Sequence, residues 1–428
     1  MFSNKILKNA SWIICCKIAQ SALSFLITVL TARYFGPSNY GLINYAAAVV
    51  AFVAPVVQLG LNNIQVQEIV DEPNKEGEII GTTLSMSLIS AVFCIIGVIS
   101  FSAIANKSET DTIVVCALYS MILLFQSAEL LQYWFQAKYL SKYSSITALI
   151  AFAIVTLYKI FLLATRKSIY FFAVSNAIDY VIITFALLAI YKKLGGKRLQ
   201  FSVERAKKMF AKSKYYIVAN MMIAIFSQTD RIMLKSMIND TATGLYSAAI
   251  SCASVAGFVY AAIIDSYRPT IFINYKSSKT SFENSMVQLY AIIIYLSALY
   301  CIAVVVFAEP VIKIIYGNAF LDAVPPLRIA VWYSTFSYLG MARNVWILAE
   351  GRQRYLWIIN LSGALGNILI NYTLIPIIGV SGAAVASLLT QFFANIVVSY
   401  IISDTRRSVV LMFRALNPKI IYNLFKKI

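Results

Sequence analysis

The chain has 428 residues, of which 60% are hydrophobic and 13% charged, with a mean hydropathy of +0.76 and a formal net charge of +18. A soluble domain carries about a quarter charged residues, so lipid is the main solvent here and an ordinary soluble domain is excluded. The sequence has no histidine, which removes imidazole metal sites, Ser–His and Cys–His catalysis and imidazole pH switching.

Crossing about 30 Å of hydrocarbon takes roughly 20 apolar residues in a helix. Twelve segments meet that length: 11–32, 41–61, 80–101, 112–134, 144–164, 169–190, 215–234, 244–264, 286–307, 326–348, 355–375 and 380–402. The strict alternation of barrel strands is absent, so the expected fold is an all-α polytopic membrane protein. The first segment is too long and too interrupted by polar residues for a cleaved signal peptide. The six cysteines, Cys15, Cys16, Cys94, Cys116, Cys252 and Cys301, fall in apolar runs without a C-x-x-C pair and read as small packing residues.

In the first segment Lys17, Gln20, Ser21, Ser24, Thr28 and Thr31 follow a helical stripe. Such a stripe is either the wall of a hydrated cavity or a snorkelling lysine with hydroxyls bonded to their own backbone. The fourth places Gln126, Glu129, Gln132, Tyr133 and Gln136 on one face near its inner end, a polar wall or a solvated helix end. Lys159 in the fifth lies close enough to an interface to snorkel. In the sixth, Asn176, Asp179 and Tyr180 sit near mid-depth, where an acid must be paired, protonated or facing a wet cavity.

The longest connection, "YKKLGGKRLQFSVERAKKMFAKSK", joins six segments to six. Val203, Ala206, Met209 and Phe210 share a helical face there, which predicts a stretch lying along the headgroups. The expected organisation is an N-terminal lobe (1–190), this basic linker (191–214), a C-terminal lobe (215–402) and a basic tail (403–428) that is an interfacial helix or a frayed end. The halves echo each other: "YGLINYAAAV" resembles "TGLYSAAISC", with Gly41 matching Gly244. Two six-helix lobes in the same orientation form a parallel repeat with sites at the lobe interface.

The seventh segment sets Asp230 beside Arg231 inside an apolar run. Neighbours at i and i+1 point about 100° apart on a helix, so they are not simply each other's partners. Arg343 and Asn344 in the tenth are a similar case. Among residues in or bordering the segments, Lys17, Lys159, Arg231, Arg328 and Arg343 outnumber Glu129, Asp179 and Asp230. A slightly cationic interior favours an anionic cargo, with the acids available to carry protons or bind cations.

With the N-terminus inside, 25 basic residues fall on the inner side and 6 on the outer. That asymmetry sets both termini in the cytoplasm and accounts for the net charge without nucleic acid.

Several stretches together resemble a known family: "TARYFGPSNYG", "SQTDRIMLKSMINDTATGLYSAA", "IKIIYGNAFLDAVPPLRI" and "LAEGRQRYLWIINLSGALGNILINYTLIPIIGVSGAAVAS". Over essentially the whole chain, the order and spacing are similar to polysaccharide repeat-unit flippases of the Wzx (O-antigen) type. These belong to the multidrug/oligosaccharidyl-lipid/polysaccharide exporter superfamily. The resemblance implies two six-helix lobes around a central cavity and alternating access. It implies a bacterial inner-membrane transporter that moves undecaprenyl-diphosphate-linked oligosaccharide to the periplasmic leaflet for O-antigen or capsular polysaccharide. A polysaccharide polymerase and a chain-length regulator are the implied partners beside membrane lipids, with no cofactor. The family's recurring acid of the seventh span matches Asp230 by its "D-x-x-M-L" context. Lys17, Gln20, Arg231 and Arg343 are the substrate-binding candidates, and Glu129, Asp179 and Asp230 the coupling or gating ones.

A polymerase or glycosyltransferase of the same pathway is a poorer fit, because the outer loops are short and no D-x-D pair stands on an inner loop. A multidrug exporter of the same superfamily is the nearer rival. Such exporters use an acid in the first span, where this chain has Lys17 and no acid. Reporter fusions are expected to place Lys207 in the cytoplasm and Asn318 outside. A cytoplasmic signal at Asn318 would break the twelve-segment assignment.

Overall fold

The computed structural model describes the backbone of residues 2–107 and 109–425, with side chains for all of these except 2–15, 17, 18, 63 and 423–425. Among the described residues every regular element is helical, as lipid requires when no water is available to satisfy an open strand edge. Eight helices among the described residues are long and apolar enough to cross a membrane. The number is nine if Asp240–Ala253 and Gly257–Ser277, bent by 43°, count as one. The chain is therefore a polytopic helical membrane protein.

The sequence reading counts twelve segments, and the difference has a physical source in helices that run on through breaks. Ala19–Gln58 holds 40 residues and Gln353–Ile401 holds 49. At 1.5 Å per residue these reach roughly 60 and 74 Å, about twice the hydrocarbon thickness. Each contains one non-helical point, Gly36 (φ 71°, ψ 177°) in the first and Ile378–Gly379 (Gly379 φ 60°, ψ −135°) in the second. Positive φ is cheap only for glycine, so these two residues are where the long helices turn. Val324–Ala349, which carries Arg328 and Arg343, is a further helix outside the apolar set.

The chain packs as two compact units: Met1–Phe35 with Leu42–Gln228, and Gly36–Gly41 with Thr229–Ile428. The division falls inside the continuous Val203–Met237 helix.

In the first unit the expected basic linker is a fixed strap. Residues 196–202 are non-helical, and Gln200 N–H donates to Gly77 O at 3.1 Å while Ser202 N–H donates to Thr82 Oγ1 at 3.1 Å. A Cβ at Gly77 would stand 2.3 Å from Arg198 O, and one at Gly81 2.3 Å from Gln200 O. Those two glycines, one helical turn apart, are what let the strap lie against the Glu76–Ala105 helix. Beyond it Arg205 is buried among carboxylates, bonding Glu68 at 3.0 Å, Glu72 at 2.9 Å and Glu78 at 2.9 Å, and Lys212 joins Glu68 at 2.6 Å. The face expected along the headgroups is split: Met209 is fully buried in the core with Trp134, Phe135 and Tyr191, while Val203 and Phe210 are exposed.

The second unit is built around Tyr290, Ala342, Trp346, Leu411 and their neighbours, with Tyr260 and Tyr338 stacked at 4.0 Å. The two glycines of the internal echo meet here. A Cβ at Gly41 would be 1.8 Å from Asp240 O, and one at Gly244 1.9 Å from Pro37 O, each beside the other's backbone nitrogen. Only hydrogen side chains permit that approach. The first helix of the tail, Ser403–Arg414, is docked. Val409, Leu411 and Met412 are buried, Arg407 bonds Glu283 at 2.6 Å, and Tyr290 and Ser408 share a hydrogen bond of 2.6 Å.

Replacing Arg205 by methionine removes the bonds to Glu72 and Glu78 and leaves the buried Glu68 carboxylate to Lys212, at a cost below the roughly 3–5 kcal/mol of a fully broken buried pair, and should lower the thermal unfolding midpoint of the purified protein. The Arg205 hydrogen bond, with one from Lys75, holds the Glu72 carboxyl down from 4.5 to about 2. A depressed carboxyl stabilises the fold above its unfolded value, and that contribution is lost as pH falls through 4.5 toward 2. The unfolding midpoint should therefore decline on acidification across that window, and decline less in Glu72→Gln.

Candidate functional site

The Val203–Met237 helix carries Asp230 at a position only 5% exposed. An ionised carboxylate accepts hydrogen bonds only and offers about four lone-pair sites. Four side chains fill them. Asn367 Nδ2 and Asn371 Nδ2 donate to Oδ1 at 3.0 and 2.6 Å, Ser387 Oγ donates to Oδ2 at 2.5 Å, and Tyr246 Oη also donates to Oδ2. Tyr246 and Ser387 are themselves 3.2 Å apart.

The break at Gly379 assembles this cage. Asn367 and Asn371 lie four residues apart, on one face of the helix before the break, and Ser387 comes after it. A Cβ at Gly382 would meet Leu374 O at 2.4 Å, so glycine there lets the two arms pack closely enough to share one acid. Tyr246 arrives from Asp240–Ala253. The Oδ1 atoms of Asn367 and Asn371 are buried without a hydrogen-bond partner, so uncommitted neutral oxygens stand beside the carboxylate. Hard oxygens of this kind suit a proton or a small hard cation rather than a soft metal. Among the described residues no group of three or more His, Cys, Asp or Glu could hold a metal ion.

Arg231 diverges from its neighbour. Its Nε donates to Ser247 Oγ at 3.1 Å, its carbonyl accepts from Thr243 Oγ1 at 3.4 Å, and it is only partly buried. One turn on, Lys235 bonds Asp240 at 2.6 Å. Arg343, only 2% exposed, is held wholly by neutral groups: Asn395 Oδ1 at 3.0 Å, Ser399 Oγ at 2.8 Å and Asn344 Oδ1 at 3.0 Å. Its Nε is buried without a partner.

The remaining candidates fall in the first unit. Asp179 is partly buried, accepts from the Tyr180 backbone N–H at 2.8 Å, and lies within electrostatic range of Lys159, Glu129, Tyr119 and Tyr180. Lys159 Nζ donates to Asn176 Oδ1 at 2.7 Å. Glu129 sits in a 3-10 stretch, Ser127–Leu131, inside an otherwise α-helical span. Such stretches often mark hinges or strain. Gln20 is partly buried, and Lys17 lies outside the residues whose side chains are described. The structure thus gathers Glu129, Asp179 and Lys159 into one polar cluster and gives Asp230 a separate, closed cage.

Sequence reasoning did not single out Asn367, Asn371, Ser387 or Tyr246. The Asn367–Asn371 pair did carry a signal, two amides at helical spacing inside an apolar run, where polar side chains seek partners. Ser387 and Tyr246 carried none.

A family model described as "Polysaccharide biosynthesis protein" matches residues 6–274. Among curated proteins no sequence matches significantly. Solved structures match along nearly the whole chain. An inward-facing multidrug resistance MATE family transporter of the MOP superfamily has 12% identity and a TM-score of 0.70, covering 92% of this chain and 96% of its own. Lipid II flippase MurJ in an inward closed conformation has 13% identity and a TM-score of 0.72, covering 94% and 90%. The MATE multidrug transporter DinF-BH has 13% identity and a TM-score of 0.63, covering 95% and 96%. These likenesses establish the fold, which the chain shares with those MATE transporters and with MurJ.

Replacing Asp230 by asparagine leaves one acceptor oxygen for four donors. At about 1–3 kcal/mol for each buried group left unsatisfied, the variant should unfold at a lower temperature than wild type. An unchanged midpoint would mean that the cage is not formed in the membrane-extracted protein.

Proposed function

The chain belongs to the polysaccharide biosynthesis protein family, and from that premise we propose that it is a flippase for lipid-linked oligosaccharide. The cargo is an undecaprenyl-diphosphate-linked repeat unit of O-antigen or capsular polysaccharide. It moves from the cytoplasmic to the periplasmic leaflet of a bacterial inner membrane by alternating access, with both chain termini in the cytoplasm. A polysaccharide polymerase and a chain-length regulator would receive the product.

The observation that carries this reading is the coincidence of that family match with a fold held in common with MATE transporters and MurJ. The family points to polysaccharide and the fold to passage through a bundle. MurJ, whose name gives lipid II as cargo, supports a lipid-linked substrate here. Twelve crossings follow if each long helix turns at its glycine, as the lengths of Ala19–Gln58 and Gln353–Ile401 favour, if the bent pair Asp240–Ala253 and Gly257–Ser277 is one crossing, and if Val324–Ala349 is added.

Lys17, Gln20 and Arg231 are the proposed contacts for the anionic diphosphate. Arg231 is partly buried and its guanidinium suits phosphate oxygens, which it can engage by two parallel bonds. Asp230, Asp179 and Glu129 are the proposed coupling or gating acids. An acid that is fully bonded in one conformation and hydrated in another contributes a differential free energy between the two. Multidrug efflux is the second reading, favoured by the equally good match to MATE structures and opposed by the absence of an acid from residues 11–32.

The test is rescue of surface polysaccharide in a flippase-deficient strain, normalised to the amount of protein in the membrane, beside drug-efflux assays in the same cells. Wild type should restore polysaccharide and not drug resistance. Asp230→Asn should cut export about tenfold or more, the equivalent of roughly 1.4 kcal/mol. Arg231→Lys should be milder than Arg231→Ala. Drug resistance without export would move the chain to the second reading.

A further inference from the structure

The polar interior of the second unit does not end at the Asp230 cage. Ser387, Gln391, Asn395 and Ser399 recur every four residues, and all four are buried. Four-residue steps overshoot an α-helical turn by about 40° each, so such a series should wind away from any fixed line. Here it passes through a π-helical turn, Phe393–Val398. The wider turn takes back that overshoot and keeps the later members of the series facing inward.

Arg343 spans this turn. Its Nη1 donates to both Asn395 Oδ1 at 3.0 Å and Ser399 Oγ at 2.8 Å, and so holds a point of the π segment and its exit with one charged nitrogen. A Cβ at Gly340, one helical turn before Arg343, would stand 2.4 Å from Asn395 Oδ1. Glycine there leaves the room that the amide needs.

The bonding direction is fixed by chemistry. A guanidinium only donates, so Asn395 must turn its oxygen to Arg343 and its amide nitrogen away. That nitrogen donates to Gln391 Oε1 at 2.6 Å. At the other end a carboxylate only accepts, so Ser387, one turn before Gln391, must donate to Asp230. No carboxylate among the described residues bonds Arg343, so its charge serves this column rather than an ion pair.

We propose that Arg343 is a positioning residue for Asp230. It pins the π-helical turn, which fixes the rotation of the segment before it and holds Ser387 Oγ against Asp230 Oδ2. Its importance for transport rests on the coupling or gating role proposed for Asp230, whereas its effect on the carboxylate does not. A side chain 2% exposed and held by Asn395, Ser399 and Asn344 acts through its neighbours rather than on the cargo.

The test follows the carboxyl carbon of Asp230 by NMR in purified protein labelled with [4-13C]aspartate. The chain has only eight aspartates, and the Asp230 resonance is the one lost in Asp230→Asn. Ser387→Ala should displace it and Arg343→Met should displace it similarly. The double variant should match either single one, since both act through one contact. Arg343→Lys should restore the wild-type position, and the Asp179 resonance should stay in place throughout. Export should fall about tenfold in Arg343→Met, as for the loss of one hydrogen bond to a charged group, and recover in Arg343→Lys.

An unmoved Asp230 resonance in folded Arg343→Met overturns the proposal, and if export is lost as well the guanidinium contacts cargo directly. Should Arg343→Met fail to accumulate, Gln391→Met breaks the column without stranding a charge, and an unmoved resonance there has the same meaning. The resonance decides the matter even if wild type proves not to export polysaccharide.

Discussion

A carboxylate removed from water into a helical bundle loses solvation worth several kcal/mol even after the protein relaxes, and the second unit is arranged around replacing it. Asp230 receives donors from Tyr246, Asn367, Asn371 and Ser387, which lie 16, 137, 141 and 157 residues further along the chain. For two asparagines and a serine on opposite sides of a turn to reach one acid, the helix must break at Gly379 and the arms must approach closely at Gly382. The break and the small residue of this region are what bring those donors to one charge.

Asp230 was legible in the sequence because a charge inside an apolar run stands out against its surroundings. Its partners were not, because each is an ordinary residue whose meaning depends on which distant helix it faces. The same limit applies to Gly41 and Gly244. Their equivalence showed as an echo of ten residues, but that the two would press their backbones together could not be read from either copy. The strap is the instructive failure. A run of lysines and arginines next to a membrane reads as solvated or headgroup-bound, and arginine is seldom fully buried. Arg205 is buried because Glu68, Glu72 and Glu78 meet it from a turn and two helix ends more than a hundred residues earlier. Charge counting along the chain treats each acid and base as separate and therefore misses their pairing.

The two units solve the problem of intramembrane polarity differently. In the first, Asp179, Glu129 and Lys159 remain partly buried, and Asp179 accepts from the backbone N–H of the next residue. In the second, Asp230 is closed off and fully bonded. A loosely satisfied cluster changes its protonation or hydration at small cost, whereas a saturated cage resists change until the segments that build it move. Both are useful to a transporter, since ligand or ion binding shifts a conformational balance only by its differential affinity for the two states. The first kind of site responds to local chemistry and the second to backbone rearrangement.

Adjacent charges can serve such different ends because a helix separates neighbours by about 100°. Asp230 points into the cage and is withdrawn from solvent, while Arg231 turns to Ser247 and stays partly exposed. Had the two paired, the acid would have needed no amides and the base would have been drawn in with it, away from any anion. Divergence leaves each charge to be answered by its own surroundings. The acid is then dependent on Ser387, and so on the π-helical turn that orients Ser387. One helix thus carries both a closed acid and a partly exposed base, so that a movement of the helix displaces the two together.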